Sequence, residues 1–245
     1  MDTWYARDLL IDPSACDFEG RLGVDHAFRM FMDIASRHAE ELGVGLKPML
    51  AKHLFWLTVR TKVRFLARPR MLEPATLATR PIAPAAMRCL REYRLERDGA
   101  PLVLGRTEWA VMDVRAGRPV PVENIFPGNP ELAAAPDYDD PFVRITGSLA
   151  GAEVLGEYRV CSTDIDFGGH MNNVAYLRAL LGLLTTEQLK ALDPEEVELT
   201  FLSPCFEGDA LTFRTREKEG AREFAAFRED GKLALLARIV PKATQ

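Results

Sequence analysis

The spacing of apolar residues predicts one amphipathic helix near the N-terminus. The segment LGVDHAFRMFMDIASRHAEELGVG, which follows the motif DFEG at 17–20, places apolar side chains three and four residues apart, and Gly43 supplies a stop. The members of this stripe are Val24, Phe28, Phe31, Ala35, His38 and Leu42. We therefore expect one helix with a single buried face.

Alternating patterns further along the chain predict antiparallel strands. The segment WLTVRTKVRFLARP alternates apolar with basic residues, which is the two-residue period of a strand with one covered face. The segment MRCLREYRLERDGAPLVLGRTEWAVMDV predicts two more strands joined at Asp98-Gly99. One helix followed by such strands indicates an α+β unit, in which the sheet buries the apolar stripe of the helix.

The same order of elements occurs twice. The motif DFEG at 17–20 matches DFGG at 166–169, an offset of 149. Residues 63–80 match residues 199–216 at an offset of 136, and Asp98-Gly99 matches Asp230-Gly231 at an offset of 132. Three blocks in one order indicate an internal duplication with later deletions.

A proline-rich stretch separates the two copies and disfavours both helix and central strand. Its prolines are Pro119, Pro121, Pro127, Pro130, Pro136 and Pro141. We predict an N-terminal domain over 1–126, a linker over 127–150 and a C-terminal domain over 151–245.

Composition limits the class of protein. Hydrophobic residues make up 47% and charged residues 27% of the chain, as in ordinary globular proteins, and no long apolar or leader segment is evident, so we expect a cytoplasmic protein without a membrane partner. A net charge of -5 argues against nucleic-acid binding. The four cysteines lack paired spacing and predict free thiols, and His26, His38 and His53 lack the spacing of metal ligands.

Three segments carry a family resemblance. DIDFGGHMNNVAYLRALL contains the pattern D-x-D-x-x-x-H-x-N-N, and HLFWLTVRTKVRFLARPRMLEPATLATR and GRTEWAVMDVRAGRPVPV accompany it. Together they resemble the acyl-acyl-carrier-protein (acyl-ACP) thioesterases of plant plastids and bacteria. The resemblance implies a double hot-dog fold, with two tandem repeats that each wrap an antiparallel sheet around a long helix. It also implies release of free fatty acid from acyl carrier protein (ACP) without metal or cofactor.

The resemblance places the family's catalytic carboxylate at Asp166 and its histidine at His170. Two positions depart from the family pattern. The asparagine usual two residues after the carboxylate is Gly168 here, and the glutamate before a cysteine in the plant enzymes is Pro204. These departures bear on the rate and on whether the site is active.

The residue types around Asp166 suit thioester hydrolysis, which needs an activated water or nucleophile and donors for an oxyanion. Asp166 is expected to act as general base, with His170 positioning the water or protonating the leaving thiolate; attack by the carboxylate to form an anhydride is the alternative. Backbone N–H groups of Gly168, Gly169 and the helix start near Asn172 are the expected oxyanion donors. A purely structural alternative makes Asp166 a helix cap.

Three further residues near the motif are given supporting roles. Asn172 is interpreted as structural or orienting, and Asn173 as an amide that bonds the loop holding Asp166. Cys205 could pair with His170 as a nucleophile, but a cysteine in an apolar strand is more typically a buried hydrophobe.

The first copy lacks this constellation. Arg21 stands in place of the histidine, and Gly23 and Val24 replace the asparagines, so we predict that the N-terminal domain is non-catalytic. Its bulky residues are expected either to shape an acyl tunnel or simply to fill the core. They are Phe28, Met30, Phe31, Met32 and Trp56.

A basic stripe suggests where the partner binds. Segment 52–80 carries a net charge of +6, and Arg60, Lys62 and Arg64 share one face of a predicted strand. Because ACP is acidic, this stripe could steer it electrostatically; the alternative is a solvated strand face. A tandem copy suggests a monomer, although exposed sheet edges also allow a homodimer.

Three other functions remain open from the sequence. An acyl-coenzyme A thioesterase would need the same chemistry with a different carrier. A hot-dog dehydratase is less consistent with the D-x-D-x-x-G-H turn. A catalytically inactive acyl-binding protein is favoured by the departures at Gly168 and Pro204.

Overall fold

The computed structural model describes residues 4–126, 132–133, 135–137, 140–146 and 148–243. The chain divides into two compact units, Met1–Pro141 (unit 1) and Phe142–Gln245 (unit 2). The division lies within the stretch 127–150 that the prolines mark as a linker; residues 127–131, 134, 138–139 and 147 of that stretch lie outside the described residues.

Unit 1 contains an antiparallel sheet with strand order β1-β3-β4-β5-β2, and a short strand, β6, pairs with β5. The strands are β1 (Tyr5–Leu10), β2 (Leu54–Phe65), β3 (Pro74–Pro81), β4 (Cys89–Arg97), β5 (Ala100–Asp113) and β6 (Arg118–Val120). The alternation in β2 and the turn at Asp98-Gly99 between β4 and β5 are both as predicted. Gly99 has a φ of +76°, the left-handed conformation that such a tight turn requires.

Helix α1 (Val24–Glu41) packs its apolar stripe on this sheet, and a short helix, α2 (Leu46–Ala51), follows it. Phe31 is buried, and its ring stacks on Tyr93 of β4 with centroids 4.8 Å apart. A Cβ at Gly105 of β5 would lie 2.4 Å from that ring, so only glycine admits the close approach. Burial of such an aromatic side chain contributes roughly 1.5–3 kcal/mol.

The helix-facing side of unit 1 also contains polar groups. His38 lies on the buried stripe of α1 as expected, with its ring stacked on Tyr5. Arg91 of β4 donates to His38 Nδ1 at 3.1 Å and to Thr79 Oγ1 at 3.2 Å. Burial, reinforced by the Arg91 charge, lowers the pKa of His38 to about 4, so the imidazole is neutral at physiological pH.

The basic stripe on β2 is not the free cationic face that the sequence suggested. Lys62 is only 2% exposed, and its ammonium donates to Asp140 Oδ1 at 3.0 Å. Arg64 also pairs with Asp140, and Arg60 pairs with Glu108 at 2.6 Å. The strand alternation was read correctly, but Glu108 of β5 and Asp140, which is distant in sequence, pair with the cations of this face.

Unit 2 repeats the architecture with strand order β8-β11-β10-β9-β7. Its strands are β7 (Glu153–Arg159), β8 (Pro194–Phe201), β9 (Ala210–Lys218), β10 (Ala221–Arg228) and β11 (Leu233–Pro241). The sequence offsets map one sheet on the other: Pro74 shifted by 136 is Ala210, the first residue of β9, and Cys89 shifted by 132 is Ala221, the first residue of β10.

The helix of unit 2 is shorter than the predicted long helix. Helix α3 covers only Asn173–Gly182, and a separate helix, α4 (Thr186–Leu192), follows. Thr185 begins α4 with a capping box, in which its side chain accepts from Gln188 N and the Gln188 side chain accepts from Thr185 N. Gly182 and this cap end α3 after ten residues. Within the described part of the chain, no helix has the length and apolarity needed to cross a membrane.

The pH dependence of stability should report the buried His38. Unfolded histidine titrates near 6.5 and folded His38 near 4, so between these values the unfolded state binds more protons. The free energy of unfolding should therefore fall as pH drops from 6.5 to 4, by up to about 3 kcal/mol from this group. Urea titrations across this range should show a flatter pH dependence for His38→Asn, whose amide oxygen still accepts from Arg91. Equal slopes for the parent and the variant would contradict the assignment.

Candidate active site

The candidate site is a tight turn that joins β7 to α3 in unit 2. Asp166 N donates to His170 O at 3.1 Å, and Gly169 N donates to Asp166 O at 2.9 Å. Gly169 has a φ of +77°, a conformation that glycine adopts without strain. Outside the turn, Ile165 and Met171 pair as an antiparallel bridge. The turn therefore brings Asp166 and His170, four positions apart in sequence, next to each other.

The side chains of Asp166 and His170 lie close together and are accessible. Asp166 Oδ1 is 4.0 Å from His170 Nδ1, which is beyond hydrogen-bond distance, and the two side chains are 22% and 29% exposed. Gly168 N donates to Asp166 Oδ1 at 2.7 Å. Asp166 Oδ2 accepts no hydrogen bond from any described residue, which leaves this oxygen available to accept from a water molecule or a substrate.

Gly168 lies between the two side chains. A Cβ at this position would stand 3.0 Å from Asp166 Oδ1 and 3.1 Å from His170 Nε2. A side chain here would therefore contact both candidate catalytic groups. The departure from the family's asparagine removes an amide from this place in the site.

A buried aspartate that the sequence analysis did not single out holds the loop. Asp164 is 2% exposed, and its Oδ2 accepts from Tyr158 Oη at 2.7 Å and from Cys161 N at 2.9 Å. Its backbone carbonyl accepts from Asn172 N at 2.8 Å, which ties the beginning of the loop to the start of α3. Burial and the Asp164 carboxylate raise the pKa of Tyr158. Asp164 is the first aspartate of the D-x-D motif, and that motif was the signal in the sequence. Its role in holding the loop could not be predicted from the motif alone, because it depends on Tyr158 of β7.

The two asparagines differ in function. Asn172 is the N-cap of α3, and its Oδ1 accepts from Val174 N at 2.8 Å. Asn173 is the first helical residue, and its side chain forms no hydrogen bond with the part of the chain that is described. The predicted bond from Asn173 to the loop is therefore not formed, whereas the structural interpretation of Asn172 agrees with the geometry.

The expected oxyanion donors are mostly engaged inside the loop. The amides of Gly168 and Gly169 donate to Asp166, and the amide of Asn172 donates to Asp164 O. The amide of Asn173, at the first position of α3, has no acceptor among the described residues, as is usual at a helix N-terminus. The predicted helix start near Asn172 therefore offers the amide of Asn173 as a donor, whereas the amides of Gly168, Gly169 and Asn172 are bonded within the loop.

Cys205 lies beside the loop but is fully buried. Its carbonyl accepts from Met171 N at 2.8 Å, which fixes the strand connection against the loop. Burial raises the pKa of its thiol. Tyr176 of α3, also buried, donates to the nearby Ser203 O at 3.3 Å. A protonated, inaccessible thiol agrees with the reading of Cys205 as a buried hydrophobe.

Unit 1 contains the same turn with different side chains. Asp17 N donates to Arg21 O at 2.7 Å, and Gly20 N donates to Asp17 O at 2.9 Å. Leu22 N donates to Pro69 O at 2.8 Å, matching the bond from Met171 to Cys205 in unit 2. The backbone of the two turns is therefore equivalent, and residue 68 in unit 1 corresponds to residue 204 in unit 2.

A salt bridge occupies the carboxylate of unit 1. Arg68 donates to Asp17 Oδ2 at 2.6 Å and is 8% exposed at its side chain. Arg21, in the position of His170, pairs with Glu19. At the position matching Arg68, unit 2 has the uncharged Pro204. The carboxylate of Asp166 is consequently not neutralised in this way.

Two family models match most of the chain in the expected order. The acyl-ACP thioesterase N-terminal domain matches residues 2–126, and the acyl-ACP thioesterase C-terminal domain matches residues 149–232. The chain belongs to the acyl-ACP thioesterase family. The family assignment confirms the resemblance drawn from the motifs, and this thioesterase is a hydrolase of thioesters.

Solved structures support the fold of this thioesterase. An acyl-ACP thioesterase from Bacteroides thetaiotaomicron superposes with a TM-score of 0.86 at 17% identity, over 98% of each chain. A 12:0-ACP thioesterase from Umbellularia californica gives a TM-score of 0.84 at 16% identity, also over 98% of each chain. No curated protein sequence matches the chain significantly. The α+β double hot-dog prediction is confirmed.

The two neighbouring asparagines provide a matched test of the loop. Asn172→Ala removes the cap of α3 and should lower the free energy of unfolding by about 1 kcal/mol. Asn173→Ala should cost nothing measurable, because its side chain forms no such bond. Urea unfolding of both variants measures the difference, and equal losses would refute the assigned cap.

Proposed function

We propose that the Asp166 turn of unit 2 hydrolyses the thioester of fatty-acyl-ACP, with Asp166 as the general base toward water. The carrying observation is the contrast between the two copies of the turn: Asp17 is paired with Arg68, whereas Asp166 has no cationic partner of this kind. An arginine bound to the carboxylate oxygen of Asp17 occupies the place at which a water molecule would bind, and no arginine occupies Asp166 in this way.

The geometry of Asp166 supports action on a water molecule. Its Oδ1 is held by Gly168 N, which fixes the carboxylate, while Oδ2 accepts from no described residue. A water hydrogen-bonded to Oδ2 would lose a proton to the carboxylate as it attacks the thioester carbonyl. The alternative attack by Asp166 itself would need a covalent anhydride, and a carboxylate already bonded by an amide is a poorer nucleophile.

His170 is proposed to protonate the leaving thiolate. Its Nδ1 lies 4.0 Å from Asp166 Oδ1 and forms no hydrogen bond to it. His170 can therefore donate a proton to the thiolate without first breaking a bond to Asp166. The leaving thiolate takes a proton from His170, and the proton that Asp166 took from water then passes to His170. The products are the free acid and the carrier thiol, and both side chains return to their starting states. The 29% exposure of the His170 side chain leaves it accessible to a bound thioester.

The developing oxyanion is proposed to face the start of α3. The N–H of Asn173 is the first helical amide, and the helix terminus adds a partial positive charge of roughly half a unit. Asn172 positions this terminus through its cap. Gly169 and Gly168 contribute by closing the turn and fixing Asp166, and are not themselves proposed as donors.

The direct test is release of free fatty acid from purified acyl-ACPs of graded chain length. Asp166→Asn should reduce the rate at least about a hundredfold, because it removes the base while preserving shape. Asp17→Asn is the matched control in unit 1 and should hydrolyse close to the parent rate. Equal losses in both variants, or an unaffected Asp166→Asn, would refute the assignment.

Parallel assays on acyl-coenzyme A decide the carrier. Faster hydrolysis of acyl-ACP at equal acyl chain supports the family activity, whereas faster hydrolysis of the coenzyme A ester would replace it. Tight binding of acyl-ACP by the folded parent without release of fatty acid would identify an inactive acyl-binding protein.

Cys205 provides a separate prediction on mechanism. Cys205→Ser should retain hydrolysis within roughly threefold of the parent, because a buried thiol with a raised pKa supplies no thiolate. Steady-state release of fatty acid by the folded variant measures this. A loss of about a hundredfold or more would instead indicate covalent catalysis through the thiol.

A further inference from the structure

A buried polar cluster lies on the helix-facing side of the unit 1 sheet, outside the Asp166 turn. We refer to Arg91, Tyr93, Trp109, His38 and Thr79 as the Arg91 cluster. Arg91 and Tyr93 are two residues apart on β4 and share a face; Trp109 of β5 lies opposite Cys89, which continues the same face. Phe31 and His38 of α1 contact this face through Tyr93 and Arg91.

Arg91 is a buried cation with neutral partners. It is 6% exposed, and its hydrogen bonds go to His38 Nδ1 and Thr79 Oγ1. No carboxylate of the described residues forms an ion pair with it. On the other face of the same sheet, the buried Arg80 pairs with Glu92 at 3.0 Å. The absence of a counter-charge therefore distinguishes Arg91 from the buried arginine next to it, since a buried charge ordinarily requires compensation.

His38 does not supply the missing charge. Its low pKa keeps the imidazole neutral, and Nδ1 then accepts from the guanidinium. Glu41 lies near the His38 end of α1, but the structure places it in a hydrogen bond with Tyr5 Oη at 2.7 Å. The positive charge of Arg91 thus remains unbalanced inside unit 1.

Two further donors in the cluster lack acceptors. Tyr93 Oη and Trp109 Nε1 are buried atoms without a hydrogen-bond partner among the described residues. Tyr93 Oη lies near the side chains of Thr107 and Trp109 without a bond of normal geometry to either. One cation and two unsatisfied donors therefore share the buried, helix-facing side of the unit 1 sheet, a combination that favours an anionic oxygen ligand.

The surroundings of the cluster are apolar. Cys89 belongs to a hydrophobic group that includes Val111 and Phe126, and Trp56 and Trp109 pack against it. Trp56 and Trp109 are only partly buried. A ligand that matches both the cation with its two donors and the apolar surroundings has an oxygen anion at the end of an aliphatic chain.

We propose that the Arg91 cluster binds the carboxylate of a long-chain aliphatic acid, with Arg91 as its counter-ion and Tyr93 Oη and Trp109 Nε1 as hydrogen-bond donors. Two molecules carry this chemistry: a free fatty acid, or an acyl chain bearing a second carboxylate at its far end. The site is distinct from the Asp166 turn and does not require hydrolysis.

The test compares binding of dodecanoate and dodecanol to the full chain by calorimetry. The experiment uses the parent and Asp166→Asn, so that a failure of catalysis cannot be mistaken for a failure of this site. Both proteins should bind dodecanoate at least about tenfold more tightly than the alcohol, which corresponds to about 1.4 kcal/mol.

Arg91→Met removes the charge with a side chain of similar length. It should weaken dodecanoate binding at least about tenfold, leave dodecanol binding unchanged, and unfold at a temperature no lower than that of the parent. Tyr93→Phe, which removes only an unbonded hydroxyl, should weaken dodecanoate binding by a smaller factor. Equal binding of acid and alcohol, or dodecanoate binding unaffected by Arg91→Met, would overturn the proposal.

A second arm separates the two sources of the carboxylate. The dodecanedioyl thioester of ACP, which bears a carboxylate at the far end, is compared with the dodecanoyl thioester. A lower KM for the diacid in the parent, lost in Arg91→Met, would assign the site to a substrate end. If dodecanoate binding depends on Arg91 but this KM does not, the ligand is the free acid. If neither depends on Arg91, the cluster is structural and the proposal fails.

Discussion

The backbone hydrogen bond from Asp166 N to His170 O is the constraint on which the site depends. It closes a turn of five residues, and the left-handed Gly169 makes that closure possible without strain. With the turn closed, a carboxylate and an imidazole lie within 4.0 Å of each other at the start of α3. Asp164 holds the turn in place, because its carboxylate accepts a hydrogen bond from Tyr158 Oη and its carbonyl accepts one from Asn172 N. The chemistry of the site follows from this local geometry and needs little from the remainder of the sheet.

Duplication gave the chain two such turns, and charge distinguishes them. Unit 1 keeps the backbone bonds but places Arg68 on the carboxylate and Arg21 in the histidine position. Among the described residues of unit 2, no arginine pairs with the Asp166 carboxylate, and its charged neighbour is His170. The interior of unit 1 has diverged in another direction, toward the uncompensated charge of Arg91 beneath α1. One fold thus supports the candidate catalytic loop in one copy and a polar interior in the other.

Local patterns in the sequence predicted the local features of the structure. The stripe of α1, the alternation in β2 and the Asp98-Gly99 turn each depend on neighbouring residues, so periodicity and turn chemistry identify them. The motif around Asp166 and His170 is equally local, and the family resemblance located it. The offsets of the repeat allowed the strands predicted in the first copy to be assigned to the second.

Features that depend on distant residues could not be predicted in this way. Lys62 was predicted to belong to a free basic stripe, because the sequence of β2 gives no indication that Asp140 pairs with it. The oxyanion donor was placed at Gly169 and Asn172 because their amides were not known to be bonded within the loop. His38 was recognised as a core residue, but its pairing with Arg91 joins a helix to a strand more than fifty residues away.

The central claim is that catalysis requires a carboxylate at Asp166 that no arginine neutralises. The most direct measurement compares fatty-acid release by Pro204→Arg and Pro204→Gln, which lose the same proline but differ in charge. Because residue 204 corresponds to Arg68, the new arginine should reach Asp166 as Arg68 reaches Asp17. We predict that Pro204→Arg loses at least about tenfold in rate relative to Pro204→Gln, because ion pairing weakens the base. Equal rates in the two folded variants would contradict the account.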